Sequence, residues 1–154
     1  MAERRSEESW VEYVTMTTGD RLFGLPIARV RDVFVPGRLT PVPLSPPEVA
    51  GILNLRGQIV TAIDMRLRLD LSQRTAGSPV IAIGIEQNRE CYGLLVDALG
   101  EVMRLKTSDC EPLPADLGGR LARVASGVYR LASELLVVLD VDRVLDLKDD
   151  AIAA

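Results

Sequence analysis

The sequence predicts a mainly β protein made of two small β-barrels, and three observations carry that expectation. Residues 51–69 recur without a gap at residues 127–145, with Gly51, Leu55 and Asp64 meeting Gly127, Leu131 and Asp140 at a spacing of 76. A weaker repeat at a spacing of 69 sets Gly24-Leu25, Ile27, Val30, Asp32 and Val33 against Gly93-Leu94, Val96, Leu99, Glu101 and Val102. Apolar residues come in short runs broken by Gly, Pro and Asn turn signals, the pattern of many short strands. Closing such strands into barrels removes edges that would be hazardous in so apolar a chain.

Taken in order, residues 1–9 read as a disordered leader. Trp10 to Thr18 is the first strand, Gly19-Asp20 a turn, and Arg21 to Leu25 the second strand, with Pro26 at its end or edge. Val30 to Val35 follows, with Val30, Asp32 and Phe34 on one face. Ser45-Pro46-Pro47-Glu48 carries a helix-start signature, with Ser as N-cap, Pro at the first position and Glu three residues on. Ile52 to Arg56 and Ile59 to Ile63 form a hairpin around Gly57-Gln58, where a leading Gly suits a type II′ turn. Asp64 then caps a short helix, Met65 to Leu69.

The second half repeats the scheme after a polar connection, Ser72 to Ser78. Val80 to Glu86 and Cys91 to Val96 make a hairpin, and Val102 to Leu105 extends the sheet. Thr107 to Gly119 is a Pro- and Gly-rich loop. Val128 to Leu131 and Leu135 to Leu139 form the counterpart hairpin, and Asp140 caps a helix reaching about Leu147. On this division the first lobe covers residues 10–75 and the second 76–147, with strand exchange between them left open and residues 148–154 fraying.

The bulk numbers narrow the function. The 154 residues are 47% apolar with a mean hydropathy of +0.16, enough for a core, but only 4% aromatic, so that core is mostly Val, Leu and Ile. No run approaches the ~20 apolar residues of a membrane span. The charged start, Glu3-Arg4-Arg5-Ser6-Glu7-Glu8, lacks a signal peptide's apolar stretch, which points to the cytoplasm. A net charge of −4 opposes a nucleic-acid partner, which wants clustered Lys and Arg. A nucleic-acid-binding barrel is the rival from another class, and few aromatics and an acidic balance count against it.

Enzymatic signatures fail one by one. The chain has no histidine, which removes the commonest general base and metal ligand. It has no phosphate-binding loop of the Gly-x-x-x-x-Gly-Lys kind and no Gly-x-Gly-x-x-Gly fingerprint. Two cysteines, Cys91 and Cys110, cannot by themselves hold zinc, and in a reducing compartment they read as free thiols. Asp64 and Asp140 are the one carboxylate pair worth weighing, as catalysts or, at strand-to-helix junctions, as N-caps. The sequence therefore predicts no enzyme, cofactor or metal.

What remains is surface. Asn54 and Arg56 differ between the repeats, where Arg130 and Ala132 replace them. Arg56 ends a strand beside a glycine turn, so its guanidinium projects toward a partner or simply solvates the strand end, with Asp32 as the candidate ion-pair partner.

The stretch Gly51-Ile-Leu-Asn-Leu-Arg-Gly-Gln-Ile-Val-Thr-Ala-Ile-Asp64 resembles the central signature of the CheW family, bacterial chemotaxis coupling proteins. Val30-Arg31-Asp32-Val33 is similar to that family's segment after the second strand, and Gly93-Leu94-Leu95-Val96-Asp97 followed by Val102 matches its second half. The resemblance spans about residues 10–147. It implies two five-stranded SH3-like barrels with short helices and a non-enzymatic adaptor. Its partners would be the cytoplasmic tip of methyl-accepting chemoreceptors and the regulatory domain of the CheA histidine kinase, with self-association in rings beneath receptor arrays at the inner membrane. Carried over by motif, Val30, Asp32, Asn54, Arg56 and Gly57 would meet the receptor, and Val96, Leu99 and Val102 the kinase, unless these last are core. A scaffold of a chemosensory pathway for pili, biofilm or development is the rival within the class.

Overall fold

The computed structural model describes residues 9–72 and 77–147. The expectations for residues 1–8 and 148–154 lie outside the described residues; Ser9 is held, its carbonyl accepting the Thr107 N–H at 3.0 Å. Ten strands and three short α-helices follow in chain order: β1 (Trp10–Thr18), β2 (Arg21–Pro26), β3 (Val30–Phe34), β4 (Val49–Leu55), β5 (Gln58–Asp64), α1 (Met65–Arg68), β6 (Ile81–Gln87), β7 (Glu90–Val96), β8 (Ala98–Lys106), α2 (Arg120–Val124), β9 (Ala125–Arg130), β10 (Leu135–Leu139) and α3 (Val141–Leu145). The mainly β expectation is met by two five-stranded sheets.

The sheets do not follow the division at residue 75. One has the order β8-β1-β2-β10-β9 and the other β3-β6-β7-β5-β4, so each takes two strands from one half of the chain and three from the other. The crossovers are short: Ile27–Arg29 links β2 to β3, and Asp97 alone links β7 to β8.

The duplication is preserved in the register. Tyr13 opposite Met103 is answered by Ala82 opposite Phe34, and Phe23 beside Val137 by Tyr92 beside Thr61. Even the irregularities correspond, since both outer strands β3 and β8 carry a bulge against their neighbour. Two equivalent half-chains have thus exchanged strands reciprocally within one molecule.

Three apolar clusters follow from this arrangement. Leu53, Val60, Ala62, Ala82 and Leu95 fill one sheet's own interior, and Tyr13, Tyr129, Leu136 and Val138 fill the other's. The largest cluster lies between the sheets and joins Met16, Phe23 and Val137 to Ile63, Ile83 and Leu94. Strand β10 shows why its sequence does not alternate: Leu136 and Val138 face inward, while Val137 and Leu139 face the shared core. Strands buried on both faces read as continuous apolar runs.

Asp64 and Asp140 are N-caps. The Asp64 carboxylate accepts the Arg66 N–H at 3.0 Å, and that of Asp140 accepts the Arg143 N–H at 3.2 Å. Two local expectations need correction, and one helix was not foreseen. Ser45 caps no helix; its hydroxyl donates to the Val42 carbonyl at 2.8 Å, and residues 43–48 form turns instead, leaving Glu48 buried and paired with Arg120. Helix α2 was hidden by the Gly and Pro before it, and its Leu121 and Val124 are anchored in the shared core. Strand β8 begins at Ala98, four residues earlier than its apolar run predicts, because pairing with β1 sustains it there.

Candidate partner-binding surfaces

The β4–β5 hairpin is the most specialised surface feature. Leu55 pairs with Gln58, so the two-residue turn is Arg56-Gly57 rather than Gly57-Gln58. Both turn residues have positive φ, 54° and 84°, the signature of a type I′ turn and not the expected II′. Such a turn matches the right-handed twist of the strands, at the expense of placing an Arg in the left-handed region. The Asn54 side chain accepts the Gly57 N–H at 2.8 Å and closes the turn from below. Asn54, Arg56 and Gly57 are all exposed, and the guanidinium stands at the tip of the lobe.

Beside the hairpin runs a shallow groove lined by Arg31, Asp32, Phe34, Leu55, Cys91 and Tyr92, among others. Its floor is apolar and its rim charged. Gly84 makes room for the Asp32 carboxylate: a Cβ at that position would lie 1.9 Å from its oxygen and turn the side chain aside. The bulge leaves Arg31 without a cross-strand partner and turns it outward, where it pairs with Glu86 at 2.6 Å. Both partners are about half exposed, so this pair adds little stability. Burial, reinforced by Glu90, pushes the Tyr92 hydroxyl above its ordinary pKa.

The predicted receptor residues therefore converge in part. Asn54, Arg56 and Gly57 share the tip, and Asp32 lines the adjacent groove with Arg31. Val30 is half-buried and packs on the shared core. Among the described residues no ion pair joins Asp32 to Arg56. Sequence reasoning missed Ile59, which is 57% exposed directly opposite Asn54. Cross-strand register, not period-two counting along the chain, puts it on that same face.

The predicted kinase residues separate. Val96 is fully buried in the shared core and offers no surface. Its apolar neighbours Leu94 and Leu95 are buried too, because β7 is covered on both faces. Leu99 and Val102 lie on the outer strand β8 and are 42% and 50% exposed. At the far end of that strand, Trp10 stacks against Arg104 and Lys106, at 4.8 and 5.3 Å from the ring centre. Of the two free thiols, Cys91 lines the groove with Arg31 at 3.6 Å, and burial pushes the exposed-loop Cys110 thiol above its ordinary pKa.

Two equivalent lobes, each presenting a hairpin tip and a bulged outer strand, define a duplicated β-barrel scaffold. The chain belongs to the CheW-like domain family, which it matches over residues 12–149. It is similar to the chemotaxis protein CheW of Helicobacter pylori, 25% identical over 94% of this chain and 87% of that one. The CheW of Treponema pallidum is 26% identical over 90% and 84%. Protein FrzA of Myxococcus xanthus is 27% identical over 79% and 72%. Among solved structures, the scaffolding protein TtCheW of Thermoanaerobacter tengcongensis superimposes with a TM-score of 0.76 at 26% identity, covering 85% of this chain and 89% of that one.

Proposed function

We propose that this chain is a cytoplasmic, non-enzymatic adaptor that holds the tip of a methyl-accepting chemoreceptor on one lobe and the regulatory domain of the CheA kinase on the other, in arrays at the inner membrane. The observation that carries the reading is the exposed Arg56 at a side-chain-capped turn beside the Asp32 groove, in a chain of the CheW-like family. An outward Arg beside an apolar floor suits a helical partner with an acidic side chain next to apolar ones. The kinase surface is assigned to Leu99 and Val102, on the sheet that does not contain Arg56.

Coupling in this reading is simultaneous binding. The scaffold fixes the geometry between its partners, and a receptor signal shifts the kinase equilibrium only through contacts that differ between its states. Rings of such adaptors, including contacts between copies, would let weak contacts act together. Likeness to FrzA at 27% identity, beside 25% to the Helicobacter pylori chemotaxis protein, favours one second reading, the same adaptor in another chemosensory pathway.

Co-sedimentation with a receptor cytoplasmic fragment and CheA tests the reading. Wild type enters the pellet; folded Arg56→Glu does not enter with receptor, yet still binds kinase. Normal receptor binding by that variant would refute docking at this tip. A deletion strain defective in pilus motility but normal in swimming chemotaxis would select the second reading.

A further inference from the structure

We infer that Asn54 is a positioning residue: it holds Arg56 in the left-handed turn that presents the guanidinium, and is not itself part of the contact. The inference rests on the reading that the receptor docks at Arg56. Left-handed φ is unfavourable for a residue with a Cβ, so an Arg at 54° gains from a local constraint that favours it. That constraint is the 2.8 Å hydrogen bond from the Gly57 N–H to the Asn54 carboxamide oxygen, which spans Arg56 from both sides.

The molecule contains its own control. Hairpin β9–β10 has the same register, and the Leu131 N–H donates to the Glu134 carbonyl at 2.9 Å where Leu55 and Gln58 pair in the first copy. The connection there, Ala132-Ser133, is likewise two residues long. Arg130 stands at the position of Asn54, and its guanidinium turns away to Glu111 at 3.0 Å. Neither Ala132 nor Ser133 has positive φ. Of the two equivalent turns, the left-handed one is thus the copy with the amide cap and the following Gly, although the β6–β7 turn Asn88-Arg89 is left-handed without a following Gly.

The test uses the full chain, with titration of a receptor cytoplasmic fragment and the Gly57 amide resonance as two readouts. Asn54→Ala is expected to move that resonance and weaken binding about threefold to tenfold, the span of one net hydrogen bond. Asn54→Asp, which keeps the acceptor, is expected to preserve both the resonance and the affinity to about twofold. Arg56→Glu should abolish binding with the Gly57 resonance in place. If Arg56→Glu binds normally, the docking reading falls. If it fails to bind while Asn54→Ala binds like wild type, only the positioning role falls. A folded Asn54→Asp with the wild-type resonance but the affinity of Asn54→Ala would make Asn54 a direct contact and overturn the inference.

Discussion

The guanidinium of Arg68 donates to the carbonyl of Val144 at 2.8 Å, and these two residues occupy the same position in the two repeats. Arg68 ends α1 and is fully buried; Val144 lies in the last turn of α3. The same guanidinium reaches the Arg143 carbonyl at 2.8 Å, so one repeat's helix satisfies the carbonyls that end the other's. The pseudo-symmetry is broken at this contact, since only one copy has the Arg.

Removing that clamp should destabilise the whole molecule. Arg68→Met would leave buried carbonyls unpaired and cost about 3 kcal/mol, with Arg68→Lys recovering part of it. Urea unfolding reads this directly. A loss below about 1 kcal/mol would mean that water replaces the guanidinium.

The two predicted kinase residues on either side of a burial boundary should behave oppositely. Val96→Ala removes buried methyls and is expected to cost about 2 kcal/mol of stability without altering kinase affinity in the folded protein. Val102→Glu, on the exposed face of β8, should leave the melting curve within a few degrees and weaken CheA binding. Unchanged binding by Val102→Glu in a pull-down would move the kinase surface elsewhere.

Reciprocal strand exchange predicts how the chain behaves when cut. Residues 1–75 and 76–154, produced separately, should each lack stable structure, because each supplies strands to both sheets. Mixed, they should reassemble into a folded 1:1 complex, observed by circular dichroism and sizing. A half that melts cooperatively alone would contradict the exchanged topology.

Alkaline pH should weaken the lobe that contains β1 and β9. Burial, with the Tyr13 hydroxyl at 3.2 Å, pushes the Tyr129 phenol far above its ordinary value near 10. A raised folded-state pKa gives a contribution that is complete below pH 10 and is lost as pH rises beyond it, while the unfolded tyrosine ionises. Denaturation free energies measured from pH 8 to 11.5 should fall above pH 10, less steeply in Tyr129→Phe. Equal slopes in both would assign the loss to other groups.

The local devices were legible in the chain. Gly51, Leu55 and Asp64 meeting Gly127, Leu131 and Asp140 declared a duplication, and Asp64 and Asp140 cap their helices because a carboxylate before a helix satisfies free N–H groups wherever the helix lies. Strands β1 and β2 were readable for the same reason, since a Gly-Asp turn and its flanking residues need no distant partner. The Arg56-Gly57 turn was misplaced by one residue, because only the pairing of Leu55 with Gln58 fixes which two residues remain unpaired.

What tertiary structure alone decided is which apolar residues become surface and which sheet each strand joins. Val96 and Val102 have the same side chain and were read alike, yet β7 is covered on both faces and β8 stands at an edge. The exchange of strands between halves left no local mark, because each copy carries the same pairing faces and either copy could satisfy them. Repeats written along the sequence determined the parts and their caps; the pairing of β3 with β6 and of β8 with β1 decided their assembly, because a strand's N–H and C=O groups are satisfied by whichever equivalent neighbour the packed molecule brings beside it.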